Sequence, residues 1–308
     1  MKVVSYLKSV PAKNINIQKT QLLTNFAAGV NATGDVGIVS NDSNIVDADV
    51  AVIQGWVHQD TSSPHLQLRN KIIQTQSASN RHTVVADANL FLYNDKTNPH
   101  GYLRYSFDGI FPTTGIYCDS IIDKSRWQQI SKDTNIKLEN MRTNGKKILI
   151  LVQRNKGWSM GGRNVVDWII NTISTIRQYS DRPIVIRVHP GDKTARIYIP
   201  IIQRSIVKFK DITISSIGST LQHDLDNAWA VVNHNSSAAV GPIIQGYHCF
   251  LTDPIDSQNA EVSNTDFSLI ETPLKFDRHK WLERISMFHW KFSELANGTC
   301  WRHMRGFI

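Results

Sequence analysis

Two polar clusters in the second half of the chain combine residue types that bind phosphate. Residues 187–190 read Arg-Val-His-Pro, and residues 233–239 read Asn-His-Asn-Ser-Ser-Ala-Ala. The imidazole of His189 can donate a hydrogen bond to a diphosphate oxygen, and the hydroxyls of Ser236 and Ser237 add donors without bulk. Together the clusters predict a site for a phosphate or diphosphate group.

Both clusters follow runs that are typical of strands. Residues 183–188 (Pro-Ile-Val-Ile-Arg-Val) and 228–232 (Ala-Trp-Ala-Val-Val) suit strands that are covered on both faces of a parallel sheet. Ligands of open α/β sheets bind beyond the carboxyl ends of such strands. Residues 238–245 should form a helix directly after Ser237, and the free N–H groups at its start favour an anion. The sequence therefore predicts a nucleotide-phosphate site at this edge.

Each cluster alone also has a purely structural explanation. A serine between a strand and a helix is usually the N-cap of that helix. Pro190 lacks an N–H and restricts the residue before it, so His189 is also expected where a strand simply ends in a turn. The prediction of a ligand site depends on the two clusters occurring in this order and at this spacing.

Composition is typical of an α/β protein with two domains. The 308 residues are 41% hydrophobic and 19% charged, which is enough for two cores. The three cysteines, Cys118, Cys249 and Cys300, are far apart and form no Cys-x-x-Cys pair, which argues against a disulfide framework and a structural zinc site. Residues 1–7 are a strand-like run without the apolar segment of a signal peptide, and no stretch approaches the eighteen or so apolar residues of a membrane helix. We expect a cytoplasmic protein without stable membrane association.

The chain is basic, with a formal net charge of +8 and a pI of about 9.4. Residues 1–145 contain 14 Lys and Arg against 12 Asp and Glu, and residues 146–308 contain 20 against 14, so the excess lies mostly in the second half. Such an excess indicates a polyanionic partner, which could be nucleic acid, an anionic glycan or a membrane surface. Ordinary surface solubilisation is the alternative, since there is no dense block of Lys and Arg.

Apolar periodicity predicts two wound units followed by a helical tail. In the first unit the predicted strands are residues 3–7, 36–40, 51–56 and 83–86, and the predicted helices are 18–28, 65–76 and 126–141. In the second unit, strands at 147–152, 184–188, 211–215, 229–233 and 248–252 alternate with helices at 164–179, 196–205, 221–227 and 238–245. The predicted domains are residues 1–142 and 146–275, and a helical segment over 276–308 is expected to cross back to the first domain.

The two polar clusters resemble the His-Pro and Ser-Ser motifs of GT-B glycosyltransferases of the capsule-polysaccharide and polysialyltransferase type. Residues 281–301 contain Trp-Leu-Glu-Arg, His-Trp and Glu-Leu-Ala-Asn-Gly and end in Trp, and they are similar to the C-terminal helices of those enzymes. Residues 54–58 (Gln-Gly-Trp-Val-His) and 153–160 (Gln-Arg-Asn-Lys-Gly-Trp-Ser-Met) look more like small bacteriophage transferases, related in fold to the enzymes that glycosylate 5-hydroxymethylcytosine in DNA.

The resemblance implies an α/β fold of the GT-B class, with two Rossmann-like domains facing a central cleft and C-terminal helices that pack across both. It implies that His189, Ser236 and Ser237 hold the phosphates of a nucleotide-sugar donor. Arg154 is then expected to neutralise the charge of the leaving group, and Gln153 to face the same cleft. The remaining residues of the predicted donor site are Arg187, Pro190 and Asn235. No metal and no cofactor is expected beyond a UDP-sugar as co-substrate.

A sugar transferase also needs a base that deprotonates the acceptor hydroxyl, and this base should project from the first domain. Asp108 partly resembles the acidic-pair-plus-glycine motif of polysialyltransferases, although Phe107 replaces the first acid. Asp87 follows the predicted strand at 83–86, and His58 follows the one at 51–56. Because an Asp after a strand is as often a turn or cap residue, all three candidates stay open.

These features predict an inverting, metal-independent glycosyltransferase that moves a sugar from UDP-glucose or UDP-arabinose to 5-hydroxymethylcytosine in phage DNA. The expected partners are the nucleotide sugar and double-stranded DNA, and the expected location is the host cytoplasm. Two alternatives stay open. One is the same chemistry on a capsular or surface glycan, and the other is a non-catalytic nucleotide- or DNA-binding module on a GT-B scaffold, because a fold does not determine function.

Overall fold

Two units, each built around one β-sheet, make up the described chain. The computed structural model describes residues 1–10, 17–57, 61–91 and 98–308. Unit 1 comprises Met1–Asn89, the described part of Thr97–Asn135, and Leu282–Ile308. Unit 2 comprises Ile136–Trp281 together with Leu90 and Phe91. The chain therefore leaves unit 1 after its first half and returns to it at the C-terminal end.

The described residues form eleven strands and ten α-helices. The strands are β1 (Lys2–Tyr6), β2 (Val36–Ser40), β3 (Val50–Gln54), β4 (His82–Asp87), β5 (Leu103–Phe107), β6 (Lys147–Leu151), β7 (Ile184–Arg187), β8 (Ile212–Ile214), β9 (Ala228–Asn233), β10 (His248–Leu251) and β11 (His289–Trp290). The helices are α1 (Ile17–Ala32), α2 (Pro64–Ala78), α3 (Ser125–Thr134), α4 (Val165–Ile176), α5 (Ala195–Ile206), α6 (Leu221–Leu225), α7 (Val240–Ile244), α8 (Arg278–Ser286), α9 (Phe292–Ala296) and α10 (Thr299–Met304). None of the helices in these described ranges is both long enough and apolar enough to cross a bilayer.

The sheet of unit 1 has the strand order β11-β5-β4-β3-β1-β2. Strands β1 to β4 pair in parallel. Strand β5 is antiparallel to both β4 and β11. The C-terminal segment therefore contributes an edge strand to the sheet that the N-terminal half begins.

The sheet of unit 2 has the order β10-β9-β6-β7-β8, and all of its strand pairs are parallel. Its central strand β6 reads Lys-Ile-Leu-Ile-Leu, and the last four of these residues are buried. Such a continuous apolar run is typical of a parallel strand with helices on both faces. Helix α4 packs against one face of this sheet. Asn164 is the N-cap of α4, and its side chain accepts the N–H of Val166 at 2.9 Å.

Trp301 of α10 lies in the core of unit 1. Its side chain packs edge-on against Phe26, with 6.0 Å between ring centroids. Its Nε1 donates to Asp35 Oδ2 at 2.8 Å, and Asp35 also accepts from the N-terminal ammonium of Met1 at 2.6 Å. The buried carboxylate of Asp35 thus joins the first residue of the chain to one of its last helices.

Replacing Trp301 with alanine is expected to destabilise the protein by about 3–5 kcal/mol, because the substitution leaves a large cavity and removes a partner of a buried carboxylate. The free energy of unfolding from urea denaturation measures this loss. Trp301→Phe keeps most of the apolar volume, so it should cost clearly less. An alanine variant as stable as the wild type would contradict the placement of Trp301 in the core.

Candidate functional site

The carboxyl ends of neighbouring strands bring the two polar clusters together at one edge of the unit 2 sheet. Strands β7 and β9 both pair in parallel with β6. Residues 187–190 therefore follow the strand on one side of β6, and residues 233–239 follow the strand on the other side. Gln153 and Arg154, which come after β6, lie between them. This edge is where ligands bind in open α/β sheets.

His189 presents one ring N–H that the protein does not use. The backbone N–H of Gly191 donates to its Nδ1 at 3.0 Å, so the neutral ring has its proton on Nε2. Burial lowers the pKa of His189, and the positive charge of Arg154 lowers it further. The neutral ring is therefore favoured at pH 7. Within the described part of the chain no acceptor is hydrogen-bonded to Nε2, so this N–H is available to a ligand oxygen.

Arg154 brings a positive charge to the same point. A Cβ added to Gly191 would lie 2.8 Å from Arg154 Nη2 and 3.2 Å from His189 Cε1, so the glycine leaves the room in which these side chains approach each other. Arg154 is exposed. Across residues 1–10, 17–57, 61–91 and 98–308, no carboxylate forms an ion pair with it. Its charge is available to a ligand anion.

The two serines begin the helical segment after β9. Ser236 accepts the N–H of Ala238 on its Oγ at 3.2 Å and so is the N-cap of a 3-10 turn, Ser237–Ala239, that precedes α7. Its own N–H donates to Asn233 Oδ1 at 2.7 Å. The Ser236 side chain is half-buried and that of Ser237 is exposed. Since an N-cap uses only the hydroxyl oxygen as acceptor, the hydroxyl proton can still be donated to a ligand.

Gln153 and Asn235 connect the loop after β6 with the loop after β9. Gln153 Nε2 donates to Asn235 Oδ1 at 2.9 Å and to Ser159 Oγ at 3.0 Å. The backbone N–H of Asn235 donates to Gln153 Oε1 at 3.3 Å. Asn235 Nδ2 donates to Asp253 Oδ2 at 2.9 Å. Both amides are buried and their hydrogen-bonding atoms are used within the protein, so these residues position the loops.

His234 extends this network, although the sequence did not single it out. Its Nε2 accepts from Arg163 Nη1 at 2.8 Å, so the proton is on Nδ1, which donates to Thr252 Oγ1 at 2.8 Å. Trp168 Nε1 donates to the same hydroxyl at 2.9 Å. Burial lowers the pKa of His234, in keeping with a neutral ring. Asp253 and Thr252 follow β10, and the rule that indicated the other loops could also have found them.

Arg187 is used within unit 2. Its Nη1 forms an ion pair with Asp224 and donates to the carbonyl of Ser219 at 2.7 Å. The side chains of Arg187 and Asp224 are 13% and 5% exposed. Arg187 was predicted on the nucleotide, but the buried pair keeps its guanidinium on a structural partner. Pro190 follows His189 in the exposed loop and contributes its ring geometry only.

Asp224→Ala is expected to destabilise the protein by about 3 kcal/mol, because Arg187 would remain buried without its counter-charge. Asp226→Ala is the matched control, since Asp226 is exposed and only two residues away. That control should change the free energy of unfolding by at most about 0.5 kcal/mol. Equal effects of the two substitutions in urea denaturation would contradict a structural ion pair.

Asp87 lies at the carboxyl end of β4 in unit 1. It forms an ion pair with Arg104 of β5, and the Asp87 side chain is 23% exposed. Arg69 of α2 lies beside this pair and donates to the carbonyl of Ser9 at 2.7 Å and to that of Gly55 at 3.3 Å. Burial lowers the pKa of Arg69 to about 10. Two arginines thus lie beside the carboxylate of Asp87.

Asp108 lies at the opposite edge of the same sheet. It follows β5, which runs antiparallel to β4 and pairs Phe107 with Val84. Its Oδ1 accepts the N–H of Thr83 at 2.7 Å, and its Oδ2 lies 2.6 Å from His82 Nδ1. Its φ of 62° is left-handed. The structure therefore separates Asp108 from Asp87 by the length of β4, and His58 lies outside the described residues.

The described residues contain no group of three or more His, Cys, Asp or Glu side chains arranged to hold a metal ion. Positive charge at the unit 2 edge comes from Arg154 and Arg163. The second of these is directed to His234, whereas Arg154 lies close enough to His189 to lower its pKa.

Comparison with solved structures identifies the fold. No protein-family model matches the chain, and no curated protein matches it. The structure described as Thermosulfurimonas dismutans KpsC, beta Kdo 2,7 transferase, is similar over 100% of both chains, with a TM-score of 0.54 and 12% sequence identity. The beta Kdo 2,4 transferase of the same KpsC is similar over 94% of this chain and 90% of that one, with a TM-score of 0.53 and 12% identity. The predicted two-domain GT-B fold is confirmed.

Proposed function

We propose that the protein is a nucleotide-sugar-dependent glycosyltransferase whose donor phosphates bind at the carboxyl edge of the unit 2 sheet. The observation that carries the proposal is the approach of Arg154 to the ring of His189 around Gly191. Arg154 supplies a positive charge that forms no ion pair within the described residues, and His189 supplies an Nε2–H that no described acceptor uses. The hydroxyls of the half-buried Ser236 and the exposed Ser237 add donors from the neighbouring loop. The GT-B fold shared with two Kdo transferases supports this function.

These groups fit the chemistry of sugar transfer. When the bond between the anomeric carbon and the phosphate oxygen breaks, negative charge develops on the leaving diphosphate or monophosphate. Arg154 and the Nε2–H of His189 would stabilise that charge more strongly in the transition state than in the bound donor. Because a guanidinium can supply the charge that a divalent cation supplies elsewhere, the transfer is proposed to need no metal ion.

Inversion at the anomeric carbon requires an acceptor hydroxyl that attacks from the face opposite the leaving group, with its proton passed to a base. We assign the base to Asp87. The support is its position at the carboxyl end of β4 and its partial exposure. Asp108 accepts a backbone N–H at the start of β4, which favours a structural role for it.

The acceptor is proposed to be a glycan. Support comes from the two structures of similar fold, which are described as Kdo transferases. The alternative acceptor, 5-hydroxymethylcytosine in DNA, is favoured by the basic charge of the chain and by the resemblance of residues 54–58 and 153–160 to small bacteriophage transferases. UDP-glucose and UDP-arabinose remain the predicted donors, and a cytidine monophosphate sugar is the alternative nucleotide.

Donor hydrolysis and sugar transfer test this proposal together. The protein is incubated with UDP- and CMP-linked sugars, with and without EDTA, and the released nucleotide is quantified. Oligosaccharide acceptors and 5-hydroxymethylcytosine DNA are added in separate reactions, and the product masses are measured by mass spectrometry. A sugar adduct on an oligosaccharide in the presence of EDTA is the expected result. An adduct on DNA alone would show that the acceptor is DNA and not a glycan. If no donor is hydrolysed and no sugar is transferred to any acceptor, the proposed function is wrong.

A further inference from the structure

Helix α5 exposes an apolar and basic face, which we call the outer face of α5: Ile197, Ile201, Arg204, Val207 and Lys208. The helix buries Tyr198, Ile202 and Ile206 on its other side. On the outer face Ile197 is 73% exposed, Ile201 is 42% exposed and Val207 is 81% exposed. With 3.6 residues per turn, positions 197, 201, 204 and 208 lie on one stripe.

Cations surround these exposed apolar side chains. Residues 193–210 contain five Lys and Arg and no Asp or Glu. All five are exposed, and in the described parts of the chain none of them forms an ion pair. This segment therefore supplies a large part of the chain's net charge of +8, and the charge is not neutralised by the protein.

A groove runs beside the outer face, between α4 and α5. Its volume is about 790 Å³, and its lining includes Ile170 of α4, Ile201 and Val207 together with the cations Arg204 and Lys208. The one carboxylate in its lining is Asp167 of α4. A groove that combines apolar and cationic side chains in this way suits an acyl chain below an anionic head group.

We propose that the outer face of α5 docks on the surface of a bilayer containing anionic phospholipid. Lysine and arginine are attracted to the negative surface, and exposed isoleucine and valine gain by entering the boundary between head groups and acyl chains. A DNA surface would use the cations, but it would leave the three apolar side chains in water. The combination therefore favours a lipid surface, to which the protein binds peripherally.

The first turn of α5 is joined to the loops of the candidate site. Asp192 Oδ1 accepts from the N–H of Thr194 at 2.8 Å. Its Oδ2 accepts from Tyr198 Oη at 3.0 Å and from the N–H of Asn155 at 2.8 Å. Docking through α5 would thus hold the loops after β6 and β7 near the bilayer, where a lipid-linked glycan acceptor is found. This last step rests on the proposed function, whereas the docking itself does not.

Vesicle co-sedimentation of the full chain tests the docking. The probes are vesicles of equal parts phosphatidylglycerol and phosphatidylcholine, and vesicles of phosphatidylcholine alone. We expect binding to the first and little to the second. The double variant Ile197→Ser/Ile201→Ser leaves the charge unchanged and should bind the anionic vesicles about tenfold more weakly. The variant Arg204→Gln/Lys208→Gln removes two positive charges and should weaken this binding to a similar extent.

Ile255→Ser is the matched control, because Ile255 is 70% exposed in the same unit but lies outside α5. It should bind as the wild type does, and circular dichroism should show all variants folded. Equal vesicle binding by the serine double variant and the wild type would overturn the proposal. So would binding to duplex DNA that depends on Arg204 and Lys208, in the absence of vesicle binding. Vesicle binding without any donor hydrolysis would reject the proposed function and leave the docking standing.

Discussion

The His189→Ala variant is expected to show about a 100-fold lower kcat/KM for the nucleotide sugar, which is the typical loss when one preorganised donor to a developing anion is removed. The reason is geometric. The N–H of Gly191 donates to Nδ1, so the one nitrogen-bound proton of the neutral ring is on Nε2. The alanine substitution removes this N–H donor. The initial rate of nucleotide release over a range of donor concentrations measures the effect.

His223→Ala is the matched control for this experiment. The His223 side chain is 82% exposed in the same unit, and its contact with Asp224 is long, at 3.5 Å. Its removal should therefore leave kcat/KM within about twofold and change the free energy of unfolding by at most about 0.5 kcal/mol. Arg154→Ala and the Arg154→Ala/His189→Ala double variant complete a cycle. If both side chains contact the same phosphate, their effects should be non-additive. Full activity of the His189 variant would place the donor elsewhere.

The elements that carry the candidate site could be predicted because their apolar runs are unambiguous. The run at 184–188 is β7, which ends at Arg187, and the run at 229–233 is β9, which starts one residue earlier, at Ala228. Both strands pair with the same central strand, β6, and lie inside the sheet. Short β-branched runs without alternation are typical of such strands, so this pattern predicted them correctly. The polar residues that follow them then had to lie at one edge of the sheet.

Helix ends were less predictable, because they depend on single backbone conformations. A helix was predicted over residues 126–141, but α3 ends at Thr134. Asn135 has a φ of 52° and its N–H donates to Ser131 O, which closes the helix in the left-handed conformation that Asn tolerates. The helix after Ser237 begins as a 3-10 turn, and it ends before Gly246, whose φ is 84°.

Side-chain partners that are distant in sequence could not be predicted at all. Arg187 pairs with Asp224, 37 residues away, and Gln153 pairs with Asn235, 82 residues away. The sequence indicates that an arginine follows a strand, but not which carboxylate it meets. The same limit applied to residues 105–117, for which no strand was predicted. They contain most of β5, and its antiparallel direction is what brings Asp108 to the opposite edge from Asp87.

Two tryptophans of the predicted C-terminal helical segment lie in different units. Trp281 and Trp301 are both fully buried. Trp281 is the last residue of unit 2 and donates to the carbonyl of Gln258 at 2.9 Å. Trp301 lies in the core of unit 1. Their types and spacing predict burial, but they do not indicate in which unit each side chain is buried.

Replacing Asp87 with asparagine is expected to lower kcat by about 1,000-fold, within the range typical for loss of a general base. Asparagine has nearly the same shape but does not accept a proton from the acceptor hydroxyl. The donor should still bind, because its proposed site is in unit 2, so KM for the nucleotide sugar should change little. Since Arg104 is 8% exposed and would lose its counter-charge, the unfolding midpoint is measured on the same preparation.

Asp108→Asn and His58→Ala distinguish Asp87 from the other two candidates. Asparagine at position 108 tolerates the left-handed φ of 62° and can still accept the N–H of Thr83 through its Oδ1. The Asp108 variant should therefore fold and keep most of the activity if Asp87 is the base. If Asp108→Asn or His58→Ala abolishes transfer while Asp87→Asn retains it, the acceptor hydroxyl is deprotonated from another position and the assignment is wrong. Loss of transfer with donor hydrolysis retained in Asp87→Asn alone is the outcome that identifies a base acting on the acceptor.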